Sequence, residues 1–283
     1  MMISVHTSTK WASKIISLQD GEGKWSYFHS LSSGSKVPVT TEQALRRLEI
    51  LGFTAEDECI RKALAYMHRC LTGEEEIPDR REKVHDWDVF ISMMLAAWIR
   101  RFTKDDPLAN GIAEKWSDII STAFISGKFD YTAYENAFYR AFCQKPKGGR
   151  LTDLSQFYLV SMMRDMLNPQ TESAFVRHIL HHPKGIYYVW EKPLSAPPEF
   201  ESLAASRYLG ALELLADYRY SKEQLSFAAE WLRSHQKDNH KWDMGPNAKD
   251  GVYFPLSDSW RKAGQREADC TERIGKLLTK LLS

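Results

Sequence analysis

Five segments of this chain share one pattern: an apolar residue, three others, then Gln or a large apolar residue. They run from Ile15 to Gln19, Met67 to Leu71, Ile120 to Phe124, Val176 to Leu180 and Leu232 to Gln236, and their first members lie 52, 53, 56 and 56 residues apart. Glycine follows in four of them, at Gly21, Gly73, Gly127 and Gly185, where a helix C-terminus favours the left-handed conformation. The first and last copies are closest, QDGEGKW at 19–25 and QKDNHKW at 236–242. Three of the following loops carry an aromatic pair and then Leu-Ser: Tyr27-Phe28 with Leu31-Ser32, Tyr187-Tyr188 with Leu194-Ser195, and Tyr253-Phe254 with Leu256-Ser257. A period of about 54 residues holds two helices and their loops, so each unit is a helical hairpin that must bury its apolar faces against its neighbours.

The local signals within each unit are helical. Thr40 with Gln43 and Ser221 with Gln224 have capping-box spacing, and Asp106-Pro107 supplies an N-cap and a first-turn proline. In LRRLEILGF, VFISMMLAAWIRRF, FYLVSMMRDML and SRYLGALELLADY apolar residues return at three and four positions, in stripes wide enough to face helices on two sides. The extended stretches GIYYVWEKPL at 185–194 and GVYFPLSDSW at 251–260 are short and contain proline, and read as structured loops.

The fold class expected is therefore all-α: a single domain over 1–283, with five hairpins closed into an α/α toroid. Closure is favoured over an open array because the terminal units resemble each other most, whereas an open array needs polar caps. Outer helices are expected at 7–18, 55–71, 106–126, 169–182 and 221–236, inner ones at 41–51, 85–102, 152–166, 201–218 and 267–282, with an extra helix near 130–142.

Composition removes several function classes. With 38 Lys+Arg against 37 Asp+Glu the formal charge is +1, which gives no general electrostatic grip on nucleic acid. No stretch has the ~20 apolar residues of a membrane span, and the start MMISVHTSTKW lacks the features of a secretory signal, so a cytoplasmic location is expected. Cys59, Cys70, Cys143 and Cys270 are widely spaced, without a CxxC pair or a nearby His that would complete a zinc site, and read as reduced thiols rather than metal ligands. His178, His181 and His182 have one-turn spacing but precede Pro183 without a nearby acid, and read as a solvated helix end. Met93-Met94 and Met162-Met163 read as core fillers, and GEEEIPDRREK at 73–83 as a solvated, mobile connector. No metal or cofactor is called for.

WLRSHQKDNHKW resembles the QW motif of terpene cyclases and protein prenyltransferase β subunits. Trp231, Leu232, Gln236 and Trp242 fit that motif, while His240 stands where glycine is usual. The N-terminal copy has Gln19, Gly23 and Trp25 but Lys14-Ile15 in place of the aromatic-Leu pair. The resemblance implies the toroid, and for Gln19, Trp25, Gln236 and Trp242 the structural role of capping backbone groups beneath a stacked indole. It does not bring the chemistry, because fold and reaction are separable. His85-Asp86-Trp87-Asp88-Val89 is one acid short of DxDD, Asp105-Asp106-Pro107-Leu108-Ala109 lacks the third carboxylate of DDxxD, and Asp269-Cys270 has no later His to complete a prenyltransferase zinc site.

Polar residues instead crowd the starts of the inner helices, where a toroid cavity opens. His85, Asp86, Asp88 and Asp269 are the catalytic candidates. Arg150, Arg207, Trp190, Tyr253, Asp258, Trp260 and Arg261 are the ligand-binding ones, with Asp153 and Glu191 nearby. Acids at helix N-termini with Arg partners also have a structural explanation as inter-repeat ion pairs. Arginine at those starts opposes the helix dipole and points to an anionic ligand. Two functions stand: a protein that binds or transforms a small molecule, terpenoid-like or carbohydrate, in an aromatic cavity, or a non-catalytic scaffold whose rim takes a protein partner. Among enzymes, a polysaccharide lyase or hydrolase is the alternative by fold analogy.

Overall fold

The computed structural model describes residues 6–29, 38–81, 86–145, 151–220 and 222–283. Among them are eleven α-helices: α1 (Lys10–Ile16), α2 (Thr41–Ile50), α3 (Glu58–Thr72), α4 (Trp87–Phe102), α5 (Pro107–Ala123), α6 (Tyr131–Phe142), α7 (Phe157–Met162), α8 (Pro169–His181), α9 (Leu203–Leu215), α10 (Ser226–Ser234) and α11 (Ala263–Leu282). The described residues form no strand, only isolated bridges from Gln156 to Tyr187 and from Ile186 to Trp190. None of their helices is long and apolar enough to cross a membrane.

Caps set the helix starts. The Thr40 hydroxyl accepts from the Gln43 amide at 3.3 Å while Gln43 accepts from the Thr40 amide at 3.1 Å, closing the capping box of α2. Asp106 caps α5 ahead of Pro107, and Gly73 ends α3 at φ 79. The capping box expected at Ser221 involves a residue outside those described; a 3-10 turn over Lys222–Leu225 leads into α10 instead. α7 is shorter than the expected 152–166. Residues before it are drawn out of the helix, with the Ser155 carbonyl accepting from the Tyr187 amide at 3.1 Å, and Asp165 beyond it sits at φ 64.

α2, α4, α7, α9 and α11 alternate with α1, α3, α5, α8 and α10, and α6 packs on α5 as an addition. α4 packs against α3, α5 and α7, α9 against α7 and α11. The core is apolar and aromatic, with Trp98, Trp116, Tyr208 and Phe254 fully buried and the paired methionines of α4 and around α7 enclosed with them.

The first and last units match bond for bond. Trp25 Nε1 donates to the Ile15 carbonyl at 2.7 Å, and Trp242 Nε1 to the Leu232 carbonyl at 2.6 Å. Gln19 donates to the Gly23 carbonyl and Gln236 to the His240 carbonyl, each at 2.9 Å. The backbone amides of the two tryptophans donate to Thr41 Oγ1 on α2 and Thr271 Oγ1 on α11. Both indoles are buried. At the turn itself Gly23 and His240 both have positive φ, 100° and 60°. A side chain at Gly23 would also strike the Lys62 carbonyl, whereas its counterpart accommodates an imidazole.

These two units also meet. His6 Nε2 lies 2.8 Å from the Glu272 carboxylate, the Lys10 amide donates to Asp258 Oδ1 at 2.8 Å, and Arg47 of α2 donates to the carbonyls of Val252 and Pro255. Burial pulls the Arg47 pKa down to about 10. The connector at 73–83 is tied down at two points where described. Asp79 is buried and accepts the Phe28 and His29 amides at 2.6 and 2.8 Å, and Glu75 binds Arg69 and Lys24. Glu74, Glu76, Arg80 and Arg81 remain exposed, so the segment is solvated as expected apart from these two anchors.

Candidate functional site

A cavity of about 440 Å³ opens at the N-terminal ends of α4 and α7. Its walls are Phe90 on the first turn of α4, Gln156 and Tyr158 at the start of α7, and His29, Tyr187 and Tyr188 from the loops ahead of α2 and α9. Asp153, Lys184 and Glu191 add charge. The rings form one cluster: His29 lies 5.9 Å from Tyr188 and 6.1 Å from Phe90, and Phe90 lies 5.7 Å from Tyr158.

Beside this cavity α2 contributes an acid and a base one turn apart on its buried face. Glu42 Oε1 accepts from the Tyr188 hydroxyl and from Trp98 Nε1, and lies 3.8 Å from the Arg46 guanidinium. Its Oε2 is 3.8 Å from His29 Nε2 and accepts no hydrogen bond from the described residues. Arg46 donates to the Tyr188 hydroxyl at 2.8 Å and stacks on Phe157 and Tyr188. Burial works against the Arg46 charge, but the Tyr253, Glu42 and Tyr158 oxygens outweigh it and hold its pKa above the ordinary arginine value. Burial pushes the Tyr158 hydroxyl well above the usual tyrosine range, so it stays protonated beside Tyr188 at 3.4 Å. Tyr188 itself sits at φ 60, a conformation costly for a bulky side chain, of the kind found where surrounding contacts over-determine a functional position.

A second hollow, of about 500 Å³, shares Tyr188 and Glu191 with the first and is lined by Trp190, Lys192 and Arg207. A third cavity, of about 280 Å³, lies toward the C-terminal ends of α2, α4, α9 and α11 and reaches the start of α7. Ile50 of α2, Arg101 of α4, Phe157 of α7, Leu214 of α9 and Leu277 of α11 all reach it. Tyr253 lines it too, its ring so close to Gly210 that a Cβ there would lie 2.6 Å from ring carbons.

The residues anticipated from sequence are distributed among these places. Of the ligand-binding set only Trp190 and Arg207 share a hollow, with Arg207 exposed. Asp86 caps α4 by accepting from the Val89 amide and takes the Gln144 amide group at 2.5 Å. Asp88 is 83% exposed beside Arg81. Asp269, a catalytic candidate, is buried and fully engaged. It accepts the Leu256 and Ser257 amides at 2.9 Å, the Ser257 hydroxyl at 2.8 Å and Trp260 Nε1 at 2.7 Å. Asp269 and Trp260 thus anchor the loop before α11, and Asp258 and Arg261 are exposed on it. His85 and Arg150 lie outside the described residues. The helix end expected to be solvated is so only at His181, which is exposed; His178 packs on Phe129 at 4.8 Å, burial lowers its pKa, and His182 Nδ1 is 3.1 Å from the Ser155 hydroxyl.

Sequence reading passed over Glu42, Arg46, Phe90, Tyr158 and His29. The Tyr187-Tyr188 pair was visible as a loop repeat, and an acid and arginine at i, i+4 inside the apolar stripe of α2 was the signal available for the others. Among the described residues no group of three or more His, Cys, Asp or Glu side chains is placed to hold a metal ion. Comparison with family models, curated proteins and solved structures found no match to this chain.

Proposed function

We propose that the chain is one α/α toroid of five hairpin units that binds a small molecule in the aromatic cavity at the N-terminal ends of its inner helices. The ring reading is supported by the third cavity, which all five inner helices share, and by the bonds between the first and last units. The shared Trp–carbonyl and Gln–carbonyl bonds of those units are in keeping with a terpene cyclase or prenyltransferase β-subunit type of repeat.

The observation that carries the binding reading is the Glu42–Tyr188–Arg46 group. Three polar side chains from two elements are desolvated together against the cavity, an arrangement more costly to folding than an apolar filling and most naturally retained for a ligand. The walls suit a polyhydroxylated, carbohydrate-like ligand. Tyrosine and phenylalanine faces stack on sugar rings while His29, Gln156, Asp153 and Glu191 meet hydroxyl groups. Tyr188, which lines the cavity and is bonded to both Glu42 and Arg46, connects that buried pair to such a ligand. Arg207 and Trp190, in the adjoining hollow, are placed to hold a further part of it. Calorimetric titration with mono- and oligosaccharides and with isoprenoid alcohols tests this. Saturable binding of a sugar, weakened by Phe90→Ala and Tyr188→Phe, is expected; preference for the isoprenoid would return the reading to a terpenoid ligand.

A further inference from the structure

At the C-terminal ends of α2, α4, α9 and α11 the 280 Å³ cavity carries unbalanced charge. Six cations line it: Arg46, Arg101, Arg164, Arg273, Lys276 and Lys280. Three acids do: Glu49, Glu213 and Asp217. The acids are shared in inter-unit pairs. Glu49 takes Arg101 at 2.7 Å, Glu213 takes Arg273 at 2.7 Å, and Asp217 takes both Arg164 at 2.8 Å and Lys280 at 2.7 Å. Lys276 is paired with Glu272, and Arg46 with Glu42, neither of which lines this cavity.

Helix C-termini attract cations and explain part of this set. They do not explain its shape. Three of the guanidiniums are stacked on rings and held in place, Arg46 over Phe157 at 4.3 Å, Arg101 over Phe157 at 5.4 Å and Arg273 over Tyr253 at 4.8 Å. Arg273 is buried, and although burial opposes its charge, Glu213 keeps its pKa above the ordinary value. Each of the six cations has a carboxylate partner, but Asp217 is shared by Arg164 and Lys280, so the set keeps one positive charge beyond its five acids, and planar forks are the usual receptors for carboxylate and phosphate oxygens. Lys276 and Lys280, 69% and 51% exposed, stand where the hollow meets solvent.

We infer that this cavity is a binding site for a small oxyanion, a phosphate- or carboxylate-bearing metabolite, separate from the aromatic cavity at the N-terminal ends of α4 and α7. Arg46 links the two: it is bonded to Tyr188, which lines the aromatic cavity, and itself lines the anion cavity.

The test is titration of the full chain with inorganic phosphate and, separately, succinate, at ionic strength matched with chloride, followed by calorimetry and thermal shift. One saturable site is expected, and the anion that binds tells phosphate from carboxylate. The double variant Lys276→Gln/Lys280→Gln, which removes two exposed cations, should weaken it on the order of tenfold or more, the effect of losing nearby unit charges in a partly screened site. Glu49→Gln, which removes an acid from the lining and leaves Arg101 its bond to Ser161, should tighten it. Absence of saturable binding by either anion overturns the inference. So does binding that neither variant moves, since the anion then sits elsewhere. Should the double variant fail to fold, Glu49→Gln decides alone: tighter binding supports the site, unchanged or weaker binding overturns it.

Discussion

The Tyr188 hydroxyl donates to the Glu42 carboxylate across 146 positions of sequence, joining the loop ahead of α9 to the first turn of α2. That one bond fixes the wall of the aromatic cavity, because Arg46, Tyr158 and His29 are all arranged around the same two side chains. Glu42→Gln should therefore be strongly destabilising. It leaves the buried Arg46 charge without its carboxylate, a change that costs about 3–5 kcal/mol for buried pairs. Tyr188→Phe removes hydrogen bonds but no charge and should cost ~1 kcal/mol. Urea unfolding of both variants checks the ranking, and equal losses would show that the buried Arg46 does not depend on the Glu42 side chain for its balance.

The matched tryptophans make a paired prediction. Trp25→Ala and Trp242→Ala each empty a buried indole site and should cost about 3–5 kcal/mol. The phenylalanine variants keep much of the packing and lose the bond to the Ile15 or Leu232 carbonyl, so they should cost less. Melting temperatures unchanged by either alanine variant would refute the shared structural role.

The all-helical class was legible in the sequence for a physical reason. Helices are set by local signals such as the caps at Thr40 and Asp106, and the similar segments around Trp25 and Trp242 make the same bonds. α7 was overestimated because Ser155 and Tyr187 pair across a distance that local periodicity does not carry. The site was harder to see. Charges near the starts of α4 and α11 stand out in sequence, but Asp86 and Asp269 bind backbone groups, while the groups gathered at and beside the cavity, Glu42, Arg46 and Phe90, look in sequence like parts of amphipathic helices. Convergence of side chains from distant loops, as at Tyr188 and His29, is a property of packing that spacing does not encode.

Asp269 and Asp88 separate the structural and exposed acids. Asp269→Ala strands two buried amides, a hydroxyl and an indole N–H, each worth on the order of 1–3 kcal/mol when buried without a partner. Asp88→Ala, at an exposed position, should stay within about 0.5 kcal/mol of wild type. Chemical denaturation of the two variants settles it: a loss at Asp269 as small as that at Asp88 would mean the loop before α11 is held by other contacts.

Asp243 gives a pH dependence. Hydrogen bonds from Arg266 at 2.5 and 2.8 Å hold its pKa down at about 2 against an ordinary 3.8. A carboxyl depressed on folding stabilises the native state above its unfolded pKa and loses that contribution as pH falls through the folded one. Stability should therefore fall between about pH 4 and pH 2 with a component that Asp243→Asn removes. Identical acid profiles for wild type and variant would contradict the Arg266 assignment.

The central claim is that the cavity between Phe90, Tyr158 and Tyr188 holds a small molecule, and co-crystallisation with the tightest-binding sugar from the titration tests it most directly. The account predicts ligand density against the rings of Phe90 and Tyr188, within hydrogen-bond reach of the Tyr188 hydroxyl, and a loss of affinity of roughly tenfold or more in Tyr188→Phe, as a buried polar contact is worth. Density confined to the outer surface, with the same affinity in wild type and Tyr188→Phe, would contradict it.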